Sequence, residues 1–311
     1  MVQGSDCSIV IKTAYRETGI PYAEETIREA VSLLTEEAPI EGDGCCRAIK
    51  KSGGVTGCVV TPLTIGAAPL LLYLAMGSAG LPLYVSETRN IYRYKLDLLP
   101  AEDSTRFDLV QDRGGSRTLY EGCAVIGFEL RIHREQAIKL KLDIRGERPP
   151  AIYPYTDQLK TERGERFMGD RVTYRINGTE YHNIYGLTLS TKKEGGTKTE
   201  LWIKRVVNPY PYGFTTSSFA KQNSLNSSQP PSVAADLPGI IDELTITAQL
   251  LRDKYEYRYY GMFRITLTRL VLVSDETIVD CVDGVIGPLR YYVAGTVNAE
   301  VYSENAVPGI F

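Results

Sequence analysis

The stretch from Leu119 to Gly146 constrains the fold more than any other, because its apolar residues alternate with a period of two. Successive side chains of a β-strand point to opposite faces, so this alternation predicts strands with one buried face. The predicted core-facing residues are Ala124, Ile126, Phe128, Leu130, Ile132, Ile138, Leu140, Leu142 and Ile144, and their alternates include Val125, Gly127, Glu129, Arg131, His133, Lys139, Lys141, Asp143 and Arg145. The stretch is therefore predicted to form a β-hairpin with one face in solvent.

The parity of this alternation also restricts the register of the hairpin. Directly opposed residues share a face of the sheet, so Phe128 and Leu130 must pair with apolar residues of the second strand. A loop of three or of five residues satisfies this condition. In both cases Glu129 lies opposite a lysine, either Lys139 or Lys141.

Length and charge place the chain among globular proteins. With 311 residues, 43% hydrophobic and 23% charged, it can form one large or two ordinary domains with cores of their own. The net charge is only -3, which gives no electrostatic footprint for duplex DNA or an anionic membrane.

Cysteine and histidine usage argues against a metal site. The six cysteines, at 7, 45, 46, 58, 123 and 281, form no CxxC pair, and their spacing to the only two histidines is unlike a zinc site. We expect reduced thiols, no metal and no cofactor. The N-terminal residues lack the apolar run of a signal peptide, so synthesis in the cytoplasm is expected.

Two N-terminal segments allow a helical interpretation. Residues 23–37 carry Ile27, Val31 and Leu34 at helical spacing, with acids in the first turn, which predicts a helix. Residues 52–86 contain no charge and are long enough to cross a bilayer. Prolines and glycines divide this run, which favours a strand near 55–65 followed by a short helix near 69–76.

The rest of the chain is predicted to form further strands. They are predicted at 91–98, 107–111, 185–189, 201–203, 244–250, 263–272, 277–285 and 291–302. Prolines after the hairpin suggest a module boundary, giving residues 1–150 and 151–311 as two β modules. A loop at 206–237, rich in Pro, Ser and Asn, lacks periodicity and is a candidate arm that reaches a neighbouring molecule.

The second module contains a segment similar to the hairpin. Residues 186–203 align without gaps on residues 127–144, with Leu187 matching Phe128 and Leu189 matching Leu130. An internal duplication would explain this match, and so would two unrelated amphipathic hairpins of similar length.

No catalytic motif is apparent. The sequence lacks a phosphate-binding loop, a dinucleotide fingerprint, HExxH and a GxSxG elbow. His133 is predicted to be a solvated turn residue, and His182 precedes a strand. Tyrosines at 255, 257, 259 and 260 alternate with basic residues and could stack bases, although a strand face explains them as well.

Several stretches resemble the tail tube proteins of tailed bacteriophages. The similarity lies in RFDLVQDRGGSRTLYEGCAVIGFELRIHREQAIKLKLDI, with its Tyr120, Gly122 and Cys123 before the hairpin, and extends upstream to TAYRETGIPYAEET and GVTGCVVTPLTIGAAPLLLYLAMGS. It covers about residues 10–150. The second half resembles the family only through its strand pattern and ETIVDCVDGVIGPLRYYV. The chain is longer than a minimal tube subunit, and the basic Lys139 and Lys141 differ from an acidic lumen.

This resemblance implies an antiparallel β-sandwich or partial barrel of tail-tube type with two or three short flanking helices. It implies a structural virion protein, not an enzyme, made in the host cytoplasm and built into the tail. Copies would form rings of six, or of three if the chain is duplicated, stacked into a tube. Partners would be tape measure and terminator proteins, with DNA passing through without sequence-specific binding and without a membrane.

Two other classes of protein remain open from the sequence. A carbohydrate-binding or glycan-hydrolysing β-sandwich would account for 21 tyrosines and scattered acids. A membrane-anchored surface protein would account for the uncharged run at 52–86.

Overall fold

The computed structural model describes residues 7–13, 17–36, 47–77, 82–86, 91–113, 116–154, 164–206, 237–250, 261–280 and 285–303. The protein is mainly β, as predicted, with antiparallel strands that do not close into a barrel. The strands are β1 (Cys7–Lys12), β2 (Glu17–Ile20), β3 (Glu24–Glu25), β4 (Arg28–Glu36), β5 (Arg47–Pro62), β6 (Leu83–Ser86), β7 (Ile91–Asp97), β8 (Phe107–Arg113), β9 (Ser116–His133), β10 (Lys139–Gly146), β11 (Ala151–Ile152), β12 (Val172–Ile176), β13 (Thr179–Tyr181), β14 (Ile184–Lys192), β15 (Lys198–Val206), β16 (Ile240–Gln249), β17 (Met262–Asp280), β18 (Val285–Val293) and β19 (Val297–Ser303). The predicted loop at 206–237 lies almost entirely outside the described residues.

The described chain contains a single α-helix, α1 (Ala68–Met76), together with two single-turn 3₁₀ segments, Ala101–Asp103 and Gly169–Arg171. The strand and short helix predicted within the uncharged run are confirmed as β5 and α1. Pro69 lies in the first turn of the helix, and Gly77, at a φ of 97°, ends it in the left-handed region. None of the helices in the described ranges has the length and apolarity needed to cross a bilayer.

The helix predicted at 23–37 is wrong, and the segment forms β3 and β4 instead. β4 pairs with β5 from Arg28 opposite Thr56 to Glu36 opposite Arg47. Pairing with β5 supplies the backbone hydrogen bonds of this segment. The helical spacing of its apolar residues is only a weak local preference, and the tertiary pairing overrides it. The expectation of two or three helices is corrected for the same reason.

The central hairpin is confirmed as β9 and β10, with the expected register. Leu130 lies opposite Leu140, Phe128 opposite Leu142, and Glu129 opposite Lys141. The predicted faces hold from residue 127 onwards. Before that point a β-bulge at Ile126 shifts the parity. As a result Val125 and Cys123 are fully buried, whereas Ile126, predicted to face the core, is half-buried.

Two long strands connect the sheet. Along one edge, β9 pairs first with β8 and then with β14, while β10 runs along its other edge. β17 pairs with β16 on one edge and with β19 and then β18 on the other. We call the section β5–β10–β9–β14–β15–β18–β17 the central sheet. Its strands come from both predicted modules, and the boundary near residue 150 remains a prediction.

One large cluster of buried side chains underlies these strands. It contains Leu130 and Leu201 from the central sheet, Tyr94 from β7, Phe263 from β17, and seven of the nine residues of α1. The apolar alternates of the hairpin therefore share a core with α1, β7 and β17. Because one face of the central sheet packs on this core, the opposite face can carry polar side chains.

The two similar hairpins, β9–β10 and β14–β15, lie side by side in the sheet. β9 and β14 are antiparallel, with Leu130 opposite its sequence counterpart Leu189. A local pseudo-twofold axis therefore passes between these two residues. The likeness ends with the hairpins. Their outer neighbours are β5 and β18, strands from opposite ends of the chain, which a tandem duplication of larger units would not produce.

The C-terminal strands differ from the predicted boundaries. The segments predicted at 263–272 and 277–285 form one strand, β17, which is bent by bulges. The segment predicted at 291–302 is divided between β18 and β19 by a turn at Gly295. A Cβ at Gly295 would lie 2.3 Å from Thr268 Oγ1, so only glycine fits the close approach of this turn to β17.

The tip of the central hairpin is held by the segment at 164–169. The Gly169 amide donates a hydrogen bond of 2.9 Å to the Gln136 carbonyl, and the Ile138 amide donates one of 2.8 Å to the Phe167 carbonyl. A Cβ on Gly169 would lie 2.0 Å from the His133 carbonyl oxygen, so no larger residue fits.

We expect Gly169→Ala to lower the free energy of unfolding by about 1–3 kcal/mol, because backbone must move to relieve the clash. Gly239→Ala is the matched control, since a Cβ at Gly239 meets no atom within 4 Å. Chemical denaturation followed by circular dichroism measures both. Equal stability of the two variants would contradict the close packing of the hairpin tip.

Candidate functional site

The described residues bring no metal-binding cluster together. None of the described histidine, cysteine and carboxylate side chains form a cluster of three or more that could hold a metal ion. His182 is exposed, and the tyrosines at 255–260 lie outside the described residues. His133 is half-buried at the end of β9, with its ring 4.6 Å from that of Tyr185, so the expectation of a solvated turn residue is corrected.

The face of the central sheet away from the core carries two features that could bind another molecule. Strand register sets both, because residues opposite one another share a face. One row runs through Arg131, Thr188, Trp202 and Arg290, on β9, β14, β15 and β18. The adjacent row runs from Glu129 through Ser190, Glu200, Tyr292 and Val271 to Ile240.

The first feature is an exposed apolar row at the β16–β17–β18 end of this face. Ile240 pairs with Val271 and Val271 pairs with Tyr292, so the three side chains lie side by side. Their exposed fractions are 66%, 43% and 41%, and Val273, at the bulge that follows in β17, is 57% exposed. We call these four residues the apolar row. Contiguous exposed apolar side chains are typical of protein interfaces.

The second feature is a groove of about 240 Å³ that runs along β14. Its floor is low because β14 contributes the small residues Gly186 and Thr188. One wall is formed by β9 and the other by β15, so the walls stand about 10 Å apart, which is two strand spacings. The strand register therefore brings residues that are distant in sequence together around one trough.

The groove is lined by three cationic side chains and a histidine. Arg131, His133, Lys139 and Lys204 line it together with Trp202, and its lining includes no carboxylate. We call it the cationic groove. Arg131 is ion-paired with Glu129. The Nδ1 atom of His133 is buried and has no hydrogen-bond partner among the described residues.

Trp202 is held in place from the side away from the groove. The Arg290 guanidinium lies 5.7 Å from the centre of its ring, within the range of a cation–π contact. Arg290 in turn donates a hydrogen bond of 2.6 Å to Glu200. The indole therefore has a fixed position at the edge of the groove.

Lys193 is a buried lysine between the tip of the second hairpin and the C-terminus of α1. Its side chain is only 1% exposed, and burial lowers its pKa from 10.5 to about 8. The ammonium donates to the Ser104 hydroxyl at 3.1 Å and to the Met76 carbonyl at 3.4 Å. Since the last turn of α1 has no basic residue of its own, Lys193 supplies the cation that a helix C-terminus favours.

The bulge in β9 also holds Lys193. Its backbone amide donates a hydrogen bond of 2.9 Å to the carbonyl of Ile126, the extra residue of the bulge. Cys58 and Cys123 are both free thiols, and burial raises the pKa of Cys123 to about 12.

Sequence reasoning missed the groove, the apolar row and Lys193. It placed Arg131, His133 and Lys139 on the solvent face of the hairpin but gave no means of joining them to Trp202 and Lys204. The one available signal was that Trp202 is the only tryptophan of the chain and lies on a strand next to lysines. No protein-family model matches the chain, and no curated protein matches it.

Proposed function

We propose that the chain is a structural subunit that assembles with copies of itself. The observation that carries this proposal is the apolar row, since residues 240, 271, 273 and 292 expose apolar surface on a sheet face that is otherwise polar. Burial of such surface drives protein association.

More specifically, we propose a tail tube subunit of a tailed bacteriophage. The support is the sequence resemblance over residues 10–150, joined by the mainly antiparallel β architecture and the expected hairpin register. In this role the protein resides in the virion tail, stacks as rings and contacts tape measure and terminator proteins. A net charge of -3 suits a channel through which DNA slides, because few phosphates are neutralised.

A second exposed apolar surface supports ring formation. Leu83 and Tyr84 are 47% and 46% exposed on β6, which among the described strands pairs only with β7. A closed ring joins two different surfaces of identical subunits. The apolar row and the β6 surface are two such surfaces, and in the proposal they meet between neighbouring subunits.

We expect Val271→Lys to abolish assembly, because a lysine in the centre of the apolar row cannot be buried without a partner. The wild type should form rings of about 207 kDa if six chains of 34.5 kDa close, or about 104 kDa if three do. Native mass spectrometry and negative-stain microscopy distinguish these. Ile152→Lys is the control, since Ile152 is 89% exposed outside both surfaces and should assemble normally.

A mixing experiment tests whether the two surfaces meet. Val271→Lys keeps an intact β6 surface, and Leu83→Lys keeps an intact apolar row. Each variant alone should be a monomer, whereas their mixture should give discrete heterodimers and no ring. Wild-type protein that stays monomeric at high concentration contradicts self-assembly, and homodimers of either variant contradict the heterologous contact.

A further inference from the structure

We infer that the cationic groove binds a small phosphate monoester that carries a planar base, as a nucleoside monophosphate does. This site is separate from the apolar row and independent of self-assembly. The inference rests on three features: the charge of the groove, the position of Trp202 and the length of the trough.

The charge of the groove fits a compact anion. Lys139 and Lys204 reach it from β10 and β15, and neither forms an ion pair with a carboxylate in the described part of the chain. Arg131 and His133 add donors on the β9 wall. Charge-assisted hydrogen bonds from such groups to phosphate are stronger than neutral ones and favour phosphate over an uncharged ligand.

Trp202 fits a planar ring attached to that anion. It lies in the same row as Arg131, with Thr188 between them, so the indole and the guanidinium stand on opposite walls about 10 Å apart. A phosphate at the β9 wall leaves room for a base against the indole. Stacking of a base on an aromatic side chain is tolerant of which base is present.

The length of the trough favours a single nucleotide over a nucleic acid strand. The next row along β14 places Glu129 and Glu200 on the two walls, on either side of Ser190. These carboxylates would repel a second phosphate. The volume of about 240 Å³ also suits a small ligand that is partly exposed.

The chain provides a direct readout of this site. Trp202 is the only tryptophan, so tryptophan emission reports on the groove alone. Adenosine 5′-monophosphate is the probe, and we expect it to quench this emission with a Kd of about 0.1–1 mM that weakens as salt is added. Inorganic phosphate, adenosine and glucose 6-phosphate are separate arms, each expected to bind at least about tenfold more weakly. Calorimetry provides a second measurement.

Gly186→Leu tests the location. An added Cβ there meets its nearest atom, the Ile132 carbonyl oxygen, at 3.5 Å, so the substitution fills the trough without a backbone clash. It should abolish binding, and Lys204→Gln should weaken it at least about tenfold. Lys192→Gln, exposed on the same strand outside the groove, should bind as the wild type does.

Three results would overturn the inference. The first is an affinity for phosphate or glucose 6-phosphate equal to that for adenosine 5′-monophosphate, which would remove the role of the base. The second is unchanged binding by Gly186→Leu, with its fold verified by circular dichroism. The third is stronger quenching by an oligonucleotide or by an acidic peptide, which would assign the groove to a macromolecule.

Discussion

Leu130→Asp is expected to leave the chain insoluble or unfolded. Leu130 has no exposed surface and lies between Leu140 on β10 and Leu189 on β14, at the centre of the central sheet. The substitution removes a buried side chain and places an unpaired carboxylate there, at a cost of about 5 kcal/mol or more. Domain stabilities are commonly about 5–15 kcal/mol, so little or no folded protein should remain.

The matched control is Thr188→Asp, which places the same carboxylate on the neighbouring strand but on the solvent face, opposite Arg131. It should remain soluble and folded. Leu130→Ala should be intermediate, with a loss of about 3 kcal/mol. The soluble fraction after expression and chemical denaturation measure the series. A soluble Leu130→Asp with a cooperative unfolding transition would show that this face does not pack on the core.

Lys193→Met is expected to stabilise the protein at neutral pH by about 2–3 kcal/mol. Burial disfavours the ammonium and lowers the pKa of Lys193 from its ordinary value of 10.5 to about 8 in the folded protein. The substitution leaves no buried acceptor unsatisfied. The Met76 carbonyl still accepts from the Leu99 amide at 2.8 Å, and the Ser104 hydroxyl still reaches the Pro100 carbonyl.

The pH dependence provides the sharper test. Below pH 8 both the folded and the unfolded states hold the Lys193 proton, and the full cost of the buried charge is present. Between pH 8 and 10.5 the unfolded state binds more protons than the folded state, so the wild type gains stability as pH rises. The advantage of Lys193→Met should therefore shrink, with about three quarters of it lost by pH 10.

The difference between the two proteins isolates this effect. Other groups titrate in the same range, including Cys123, but they contribute equally to both proteins and cancel. Lys192→Met is the control. The Lys192 side chain is next to Lys193 in the sequence but is exposed, so this substitution should change neither the stability nor its pH dependence. Denaturant melts at several pH values measure all three proteins. A constant difference from pH 7 to 10 would mean that Lys193 is not buried as a cation.

The sequence was sufficient where a segment's structure is decided within the segment. The hairpin alternates over many residues, and a shift of one residue would expose its whole apolar face, so parity restricted its register to two alternatives, one of which the structure has. The helix at 68–76 followed from proline and glycine positions within an uncharged run. Both features are local, and both are confirmed.

The segment at 23–37 shows where local reasoning fails. Its apolar residues fit a helical period, yet Arg28 to Glu36 pairs with β5, which follows it in the chain. The bulge at Ile126 is another case, since its one extra residue shifts the parity that local alternation predicts. In each case a hydrogen-bonded neighbour decided the structure.

The candidate sites depend on the tertiary structure to a greater extent. Alternation identified Arg131 as a solvent-facing residue, but only the pairing of β9 with β14 and of β14 with β15 places it across a trough from Trp202. Lys193 lies in a Lys-Lys-Glu-Gly-Gly run with no local sign of burial, and its side chain is buried because this segment packs on the end of α1. The sequence by itself thus determined the antiparallel β class and the central hairpin, since periodicity and chain parity are properties of neighbouring residues. The groove, the apolar row and the buried lysine were decided only by the fold, because each joins strands whose separation along the chain carries no periodic signal.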